Sequence, residues 1–101
     1  MFTILRSAEF DVWLVELADE RAKARIAARI VSAELGNLGD YKPIDAGVLE
    51  MRIDFGPGYR VYFMRRGKFV YLLLLGGEKK NQKRDIERAK KMAQTIGRAG
   101  K

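Results

Sequence analysis

The longest apolar run in this sequence, Phe69 to Leu75, limits how the chain can fold more than any other feature does. Its seven residues are far fewer than the roughly 20 that a membrane-spanning helix needs. A strand that is apolar at almost every position is typical of a central strand that is covered on both faces. The run therefore predicts the strand that anchors a sheet.

Three strands in a row are predicted around this run. They cover Val48 to Phe55, Tyr59 to Arg65 and Lys68 to Leu75, with turns at Gly56-Pro57-Gly58 and Arg66-Gly67. In the first strand, apolar residues at odd positions alternate with polar residues at even positions. Such a strand has one face in the core and leaves the other face free for chemistry.

Helices are predicted before and after these strands. A short β-prone run, Phe2 to Arg6, comes first, and then Ser7 and Asp19 stand where N-caps would begin the two helices of a hairpin. Gly76-Gly77 is expected to end the third strand of the meander. A last helix is expected to begin at Asn81 or Gln82, with four residues facing inward: Ile86, Ala89, Ala93 and Ile96.

The expected fold class is α+β, with the order β-α-α-β-β-β-α in a single domain over residues 1–101. The helical hairpin and the C-terminal helix are expected to pack on an antiparallel sheet, and residues 97–101 are expected to form a frayed tail. This order occurs in many unrelated proteins, so it does not by itself indicate a function.

Charge and missing residue types narrow the chemistry. The net charge is +7, and it is uneven, because residues 1–41 carry 5 Lys and Arg against 7 Asp and Glu. A basic second part favours a polyanion such as nucleic acid as the partner. The chain has no His and no Cys, so catalysis would depend on Lys, Arg, Tyr and carboxylates. The absence of cysteine and of an apolar leader predicts a cytoplasmic protein with no membrane partner.

Two arginines are the strongest candidates for a site. Arg52 lies on the polar face of its strand, and the Gly56-Pro57-Gly58 turn brings Arg60 near it on the next strand. Two guanidinium groups on one surface favour a bridging anion, and they match phosphate oxygens bidentately. By contrast, Arg21, Arg25 and Arg29 form a stripe on the second helix that we expect to be solvated, with contact to a partner protein as the alternative.

Four blocks of sequence follow one another in a recognisable order: Gly36 to Pro43, Val48 to Ile53, Gly56 to Phe63, and Leu75 to Gln82 followed by Asp85-Ile86. Together they resemble the addiction-module killer proteins, the HigB-like, phage-derived branch of the RelE/ParE toxin superfamily. The most specific block is Gly-Pro-Gly-Tyr-Arg-Val-Tyr. The resemblance covers nearly the whole chain.

The resemblance implies the toxin of a type II toxin–antitoxin system, a ribosome-dependent mRNA endoribonuclease that inhibits translation. Its partners would be mRNA, the ribosome and a cognate antitoxin of helix-turn-helix type, with no metal and no cofactor. By position, the resemblance implies a site at Arg52, Arg60, Lys79 and Lys80. We predict Arg52, Arg60, Lys79 and Glu78 as the catalytic residues. The predicted RNA-binding residues are Lys42, Arg52, Arg60, Lys79, Lys80 and Lys83.

The sequence departs from the best-studied members of this family in lacking His and in having no tyrosine in its last helix, where some relatives have a proposed acid or base. The proton-transfer groups therefore stay open: Glu78 or Glu50 could be the base, and Tyr62 or Tyr71 could contribute only if its hydroxyl faces the cleft. Two other functions also stay open. One is a ParE-like poison of DNA gyrase, and the other is a non-catalytic RNA-binding or partner-binding domain of the same fold.

Overall fold

The computed structural model describes residues 1–99 as a five-stranded sheet with helices on both faces. Four helical or strand elements form the first part of the chain: β1 Thr3–Arg6, α1 Ala8–Glu16, α2 Glu20–Glu34 and β2 Tyr41–Asp45. The second part contains β3 Val48–Ile53, β4 Tyr59–Arg65, β5 Val70–Glu78, a 3-10 turn Lys79–Asn81 and α3 Gln82–Ala99. The α+β class is confirmed.

The sheet has the strand order β1-β5-β4-β3-β2 and is mixed. Strands β2 to β5 pair antiparallel, but β1 runs parallel to β5, with Thr3 opposite Val70. The expectation of a purely antiparallel sheet was therefore wrong, and so was the order, which omitted β2. Strand β2 lies at the edge of the sheet, and its proline and exposed polar residues do not give the alternating pattern that predicts a strand. Its conformation depends on its pairing with β3.

The predicted helix starts are confirmed by their caps. The Ser7 hydroxyl accepts a hydrogen bond from Phe10 N at 3.0 Å and donates to the Leu74 carbonyl. Asp19 Oδ1 accepts from Arg21 N at 2.9 Å and from Ala22 N at 3.2 Å. These contacts satisfy backbone N–H groups that the first turn of a helix leaves without partners.

Two hydrophobic clusters lie on opposite faces of the sheet. One cluster packs α1 and α2 against the sheet and includes Phe10, Ile26 and Phe63. The other cluster packs α3 and includes Tyr62 and Ala89, with Ile86 and Ile96 at its border. Adjacent residues of β4 thus enter different cores. Strand β5 is an interior strand between β1 and β4, and it is covered on both faces as its apolar sequence predicted.

Strand β5 continues through Gly76 and Gly77 to Glu78, beyond the point where we expected it to end. The two glycines permit close approach from both faces. A Cβ at Gly76 would collide with the indole ring of Trp13, and a Cβ at Gly77 would collide with the carboxylate of Asp85. These glycines therefore make room for a helix on each side of the strand.

The last helix begins at Gln82, as predicted, and its inward residues are confirmed. The expected frayed tail stays a prediction for Gly97 to Ala99, which form the end of α3. For Gly100 and Lys101 the expectation lies outside the described residues. Among the helices of residues 1–99, none is long and apolar enough to cross a membrane.

Candidate anion-binding cleft

Arg52 and Arg60 face each other directly across the β3–β4 pair, as the sequence predicted. Like charges in opposite positions disfavour strand pairing unless carboxylates or a bound anion offset them. Each arginine has a different compensating carboxylate. Arg52 Nη2 lies 3.1 Å from Asp40 Oδ1 at the surface, whereas Arg60 Nε lies 3.8 Å from the buried Glu50 Oε1.

The two arginines open into a cleft of about 380 Å³. Its lining combines three cations, two carboxylates and the β3–β4 turn: Arg52, Arg60, Lys79, Asp40, Asp54 and Gly56-Pro57-Gly58. The turn is tied to the start of the 3-10 turn, because Lys79 N donates to Gly58 O at 2.9 Å. Gly58 has a φ of +84°, which suits a residue without a Cβ.

Glu50 is completely buried and does not line the cleft, although its carboxylate lies near Arg60. Its Oε2 accepts a hydrogen bond from Gln82 Nε2 at 2.6 Å, which connects β3 to the first residue of α3. Arg60 is also nearly buried, and its Nη1 donates to Tyr59 O at 3.1 Å. These contacts orient Arg60 from below and leave Glu50 out of reach of a ligand in the cleft.

Tyr62 and Tyr71 do not line the cleft. Tyr62 is fully buried on the α3 side, and burial raises the pKa of its hydroxyl far above the usual range, helped by Glu50 and Asp85. Tyr71 packs in the α1–α2 core, where its hydroxyl accepts a hydrogen bond from Arg65 Nη2. Neither hydroxyl therefore meets the geometric condition for a proton-transfer group.

The other predicted site residues lie around the cleft without lining it. Glu78 ends β5, and its carboxylate lies 3.7 Å from Lys80 Nζ. Lys80 and Lys83 are exposed near the start of α3. Lys42 is exposed on β2 opposite Glu50. Of the predicted residues, the structure thus brings together Arg52, Arg60 and Lys79.

Sequence reasoning missed two carboxylates of the cleft. Asp54 continues the polar alternation of Glu50 and Arg52, so the pattern that indicated Arg52 could have found it too. Asp40 stood in a stretch that we expected to be only a turn. Asp40 directly precedes β2, and the pairing of this part of the chain with β3 places it beside Arg52: Arg52 N donates to Asp40 O at 2.9 Å. Because the sequence did not predict β2, it did not predict this position either.

The arginine stripe of α2 is only partly solvated. Arg21 is exposed, and the guanidinium of Arg25 lies 4.9 Å from the ring centre of Phe55. Arg29 is half-buried, and its guanidinium donates to three carbonyls behind the cleft: Leu38 O, Asp40 O and Arg52 O. Burial lowers the pKa of Arg29, although Asp40 acts in the opposite direction. For Arg29 the solvated interpretation was wrong.

Comparison with known proteins identifies a relative in Haemophilus influenzae, an uncharacterized protein. It is 48% identical over 88 residues, which cover 87% of this chain and 89% of the relative. At this identity and coverage, the two chains share one fold. No protein-family model matches the chain.

Proposed function

We propose that this chain, which belongs to the same family as the uncharacterized Haemophilus influenzae protein, is the toxin of a type II toxin–antitoxin system. Its proposed activity is that of a ribosome-dependent mRNA endoribonuclease. The observation that carries the proposal is the pair Arg52 and Arg60, which face each other in a cleft that Lys79 also lines. Its partners would be mRNA, the ribosome and a helix-turn-helix antitoxin, as the sequence resemblance implies.

The cleft has the charges that a phosphodiester substrate requires. Guanidinium groups bind phosphate oxygens through paired, charge-assisted hydrogen bonds. In the proposed reaction, the 2′-hydroxyl loses its proton and its oxygen forms a bond to the adjacent phosphorus. The bond from phosphorus to the 5′-oxygen then breaks, and that oxygen takes up a proton, leaving a 2′,3′-cyclic phosphate and a 5′-hydroxyl. Arg52 and Arg60 would stabilise the negative charge of the pentacoordinate state.

The structure favours some proton acceptors over others. Glu50 is buried and hydrogen-bonded to Gln82, so it does not reach a substrate in the cleft. Lys79 lines the cleft together with Asp54, and Glu78 lies next to Lys79 in the chain. We therefore assign proton transfer to Lys79 or a neighbouring carboxylate, and no step requires a metal.

The test is controlled expression in a bacterial host, with growth recorded alongside primer-extension mapping of a translated message. The proposal expects growth arrest and cuts that disappear when translation of that message is blocked. Arrest with intact RNA and trapped, cut DNA would replace it with gyrase poisoning. Normal growth with well-expressed, folded protein would indicate a binding domain.

The arginine variants need different controls, because the two side chains differ in burial. Arg60→Ala leaves the carboxylate of Glu50 buried without its partner, so it lowers stability as well as activity. Arg52→Ala removes only a surface pair and is the cleaner test. We expect Arg52→Ala to reduce message cleavage by about 100-fold or more. The exposed Arg21→Ala variant removes the same charge on α2 and should remain fully toxic.

A further inference from the structure

Arg29 supports the cleft from behind without lining it. Its Nη1 donates to the carbonyl of Arg52 at 2.5 Å, and its Nη2 donates to Leu38 O at 2.8 Å and to Asp40 O at 3.0 Å. One side chain of α2 therefore joins β3 to the segment that leads into β2. Because a guanidinium is planar and rigid, three such contacts fix the relative position of the two segments.

The segment before β2 fits closely around this guanidinium. A Cβ at Gly39 would lie 2.8 Å from Arg29 Nη2, and Gly39 has a φ of +65° that favours glycine. On the other side, Arg52 N donates to Asp40 O at 2.9 Å. The main chain of Asp40 is thus held by Arg29 and by β3, and its carboxylate is directed to Arg52 Nη2 at 3.1 Å.

We propose that Arg29 is a positioning residue that holds Asp40 against Arg52, so that Asp40 competes with the anionic substrate for this arginine. That the anion is an RNA phosphate rests on the proposed function; the competition itself rests only on the geometry. The side chains of Arg52 and Asp40 are 37% and 58% exposed, so their ion pair is weak enough for a phosphate to displace. Asp40 thereby moderates how readily the cleft binds phosphate.

Chemical modification measures the state of Arg52 without a ligand. Phenylglyoxal reacts with the nitrogens of guanidines, and a carboxylate that is hydrogen-bonded to those nitrogens slows the reaction by restricting access to them. The rate at Arg52 is followed by peptide mass spectrometry of the full-length protein. We expect Asp40→Asn to raise this rate about two- to fivefold, the range that a surface ion pair allows. Arg29→Met should raise the rate similarly, because it releases Asp40.

The double variant separates positioning from a general loss of structure. If Arg29 acts through Asp40, the Arg29→Met/Asp40→Asn protein should react at Arg52 no faster than Asp40→Asn alone. Arg60, which Glu50 holds from below, should keep its native rate in all these variants. Arg29→Lys keeps the charge but cannot span three carbonyls, so it should act like Arg29→Met and serves if that variant does not fold.

An unchanged Arg52 rate in the Arg29 variants would overturn the inference. So would additive effects of the two substitutions, or a parallel rise at Arg52 and Arg60, which would indicate loosening of the whole sheet. Failure of the proposed function is recognised by a different result: the unmodified protein would not cut a translated message, with or without growth arrest, whatever the reactivity of Arg52.

Discussion

Glu50 and Arg60 form an ion pair inside the protein, with Glu50 Oε1 3.8 Å from Arg60 Nε and side-chain exposures of 0% and 10%. The distance is too long for a hydrogen bond, and neither of these two atoms has another partner within residues 1–99. Charge balance therefore holds the pair together. Arg60 therefore contributes to the stability of the protein as well as to the cleft.

Neutralising Glu50 should destabilise the protein. In Glu50→Gln, the nearly buried guanidinium of Arg60 has no counter-charge. The amide oxygen of the new glutamine can still accept the hydrogen bond from Gln82. We expect the free energy of unfolding to fall by about 2–4 kcal/mol in urea titrations. Glu78→Gln removes a partly exposed carboxylate at the end of β5 and should change it by less than ~1 kcal/mol. If the two variants lose equal amounts of unfolding free energy, burial of the Glu50–Arg60 pair does not contribute to stability.

Two buried tyrosine hydroxyls should respond to removal with opposite signs. Tyr62 Oη is buried and has no hydrogen-bond partner in the described part of the chain. Tyr62→Phe should raise the free energy of unfolding by about 1 kcal/mol, because it removes an unsatisfied polar group. Tyr71→Phe should lower it by about 0.5–1.5 kcal/mol, because Tyr71 Oη accepts from Arg65 Nη2 at 3.2 Å. The proposed activity should survive Tyr62→Phe, since its hydroxyl does not reach the cleft.

Stability at alkaline pH should depend on Tyr62. Burial, with Glu50 and Asp85, raises the pKa of this hydroxyl in the folded protein, whereas an unfolded tyrosine ionises near pH 10. Ionisation of Tyr62 therefore leaves the free energy of unfolding unchanged below pH ~10 and lowers it as pH rises further, because the unfolded chain then releases a proton that the folded chain keeps. Urea titrations at pH 8 to 11 should show a shallower loss for Tyr62→Phe. A remaining slope is expected, because burial raises the pKa of Tyr59 too. If the free energy of unfolding falls equally steeply with pH in the native protein and in Tyr62→Phe, the pKa of Tyr62 is not raised by folding.

The sequence predicted those parts of the fold that local pattern determines. Alternation located β3, the apolar run located β5, and the caps Ser7 and Asp19 located the helix starts. Strand β2 was missed because its conformation depends on pairing with β3. The end of β5 was misplaced because Gly76 and Gly77 break strands in general, and only the positions of Trp13 and Asp85 show why glycine occurs here.

The site was predictable to a similar extent. Two-residue periodicity and a short turn sufficed to place Arg52 opposite Arg60. The same reasoning could not distinguish the environments of the even-numbered residues of β3, because the start of α3 buries Glu50 and leaves Arg52 partly open. Nor could it find Arg29 as a support, since its contacts join segments that are distant in sequence.

Two glycines in different surroundings should respond differently to alanine. Gly77→Ala would place a Cβ against the carboxylate of Asp85, so β5 or α3 must shift. We expect thermal or urea unfolding to show a loss of about 1–3 kcal/mol, the usual cost of overpacking. Gly97 is a helical residue of α3, and a Cβ added there would meet nothing within 4 Å. Gly97→Ala should therefore stabilise the protein by about 0.5–1 kcal/mol. A neutral Gly77→Ala would show that the close approach of α3 is not required.

The β2–β3 hairpin offers a way to stabilise the protein without touching the cleft. Its two turn residues are Ala46 and Gly47, with φ values of 54° and 80°, and Ala46 is the only described non-glycine residue with positive φ. Positive φ at both positions is typical of a type I′ turn, which favours Asn-Gly. Ala46 is exposed, so Ala46→Asn loses no packing and should raise the free energy of unfolding by about 0.5–1 kcal/mol.

Gly47→Ala is the matched control: a Cβ there would contact nothing within 4 Å, so a loss of about 1–2 kcal/mol would reflect backbone conformation alone. If Ala46→Asn lowers stability, the turn does not need the left-handed conformation that its φ values indicate.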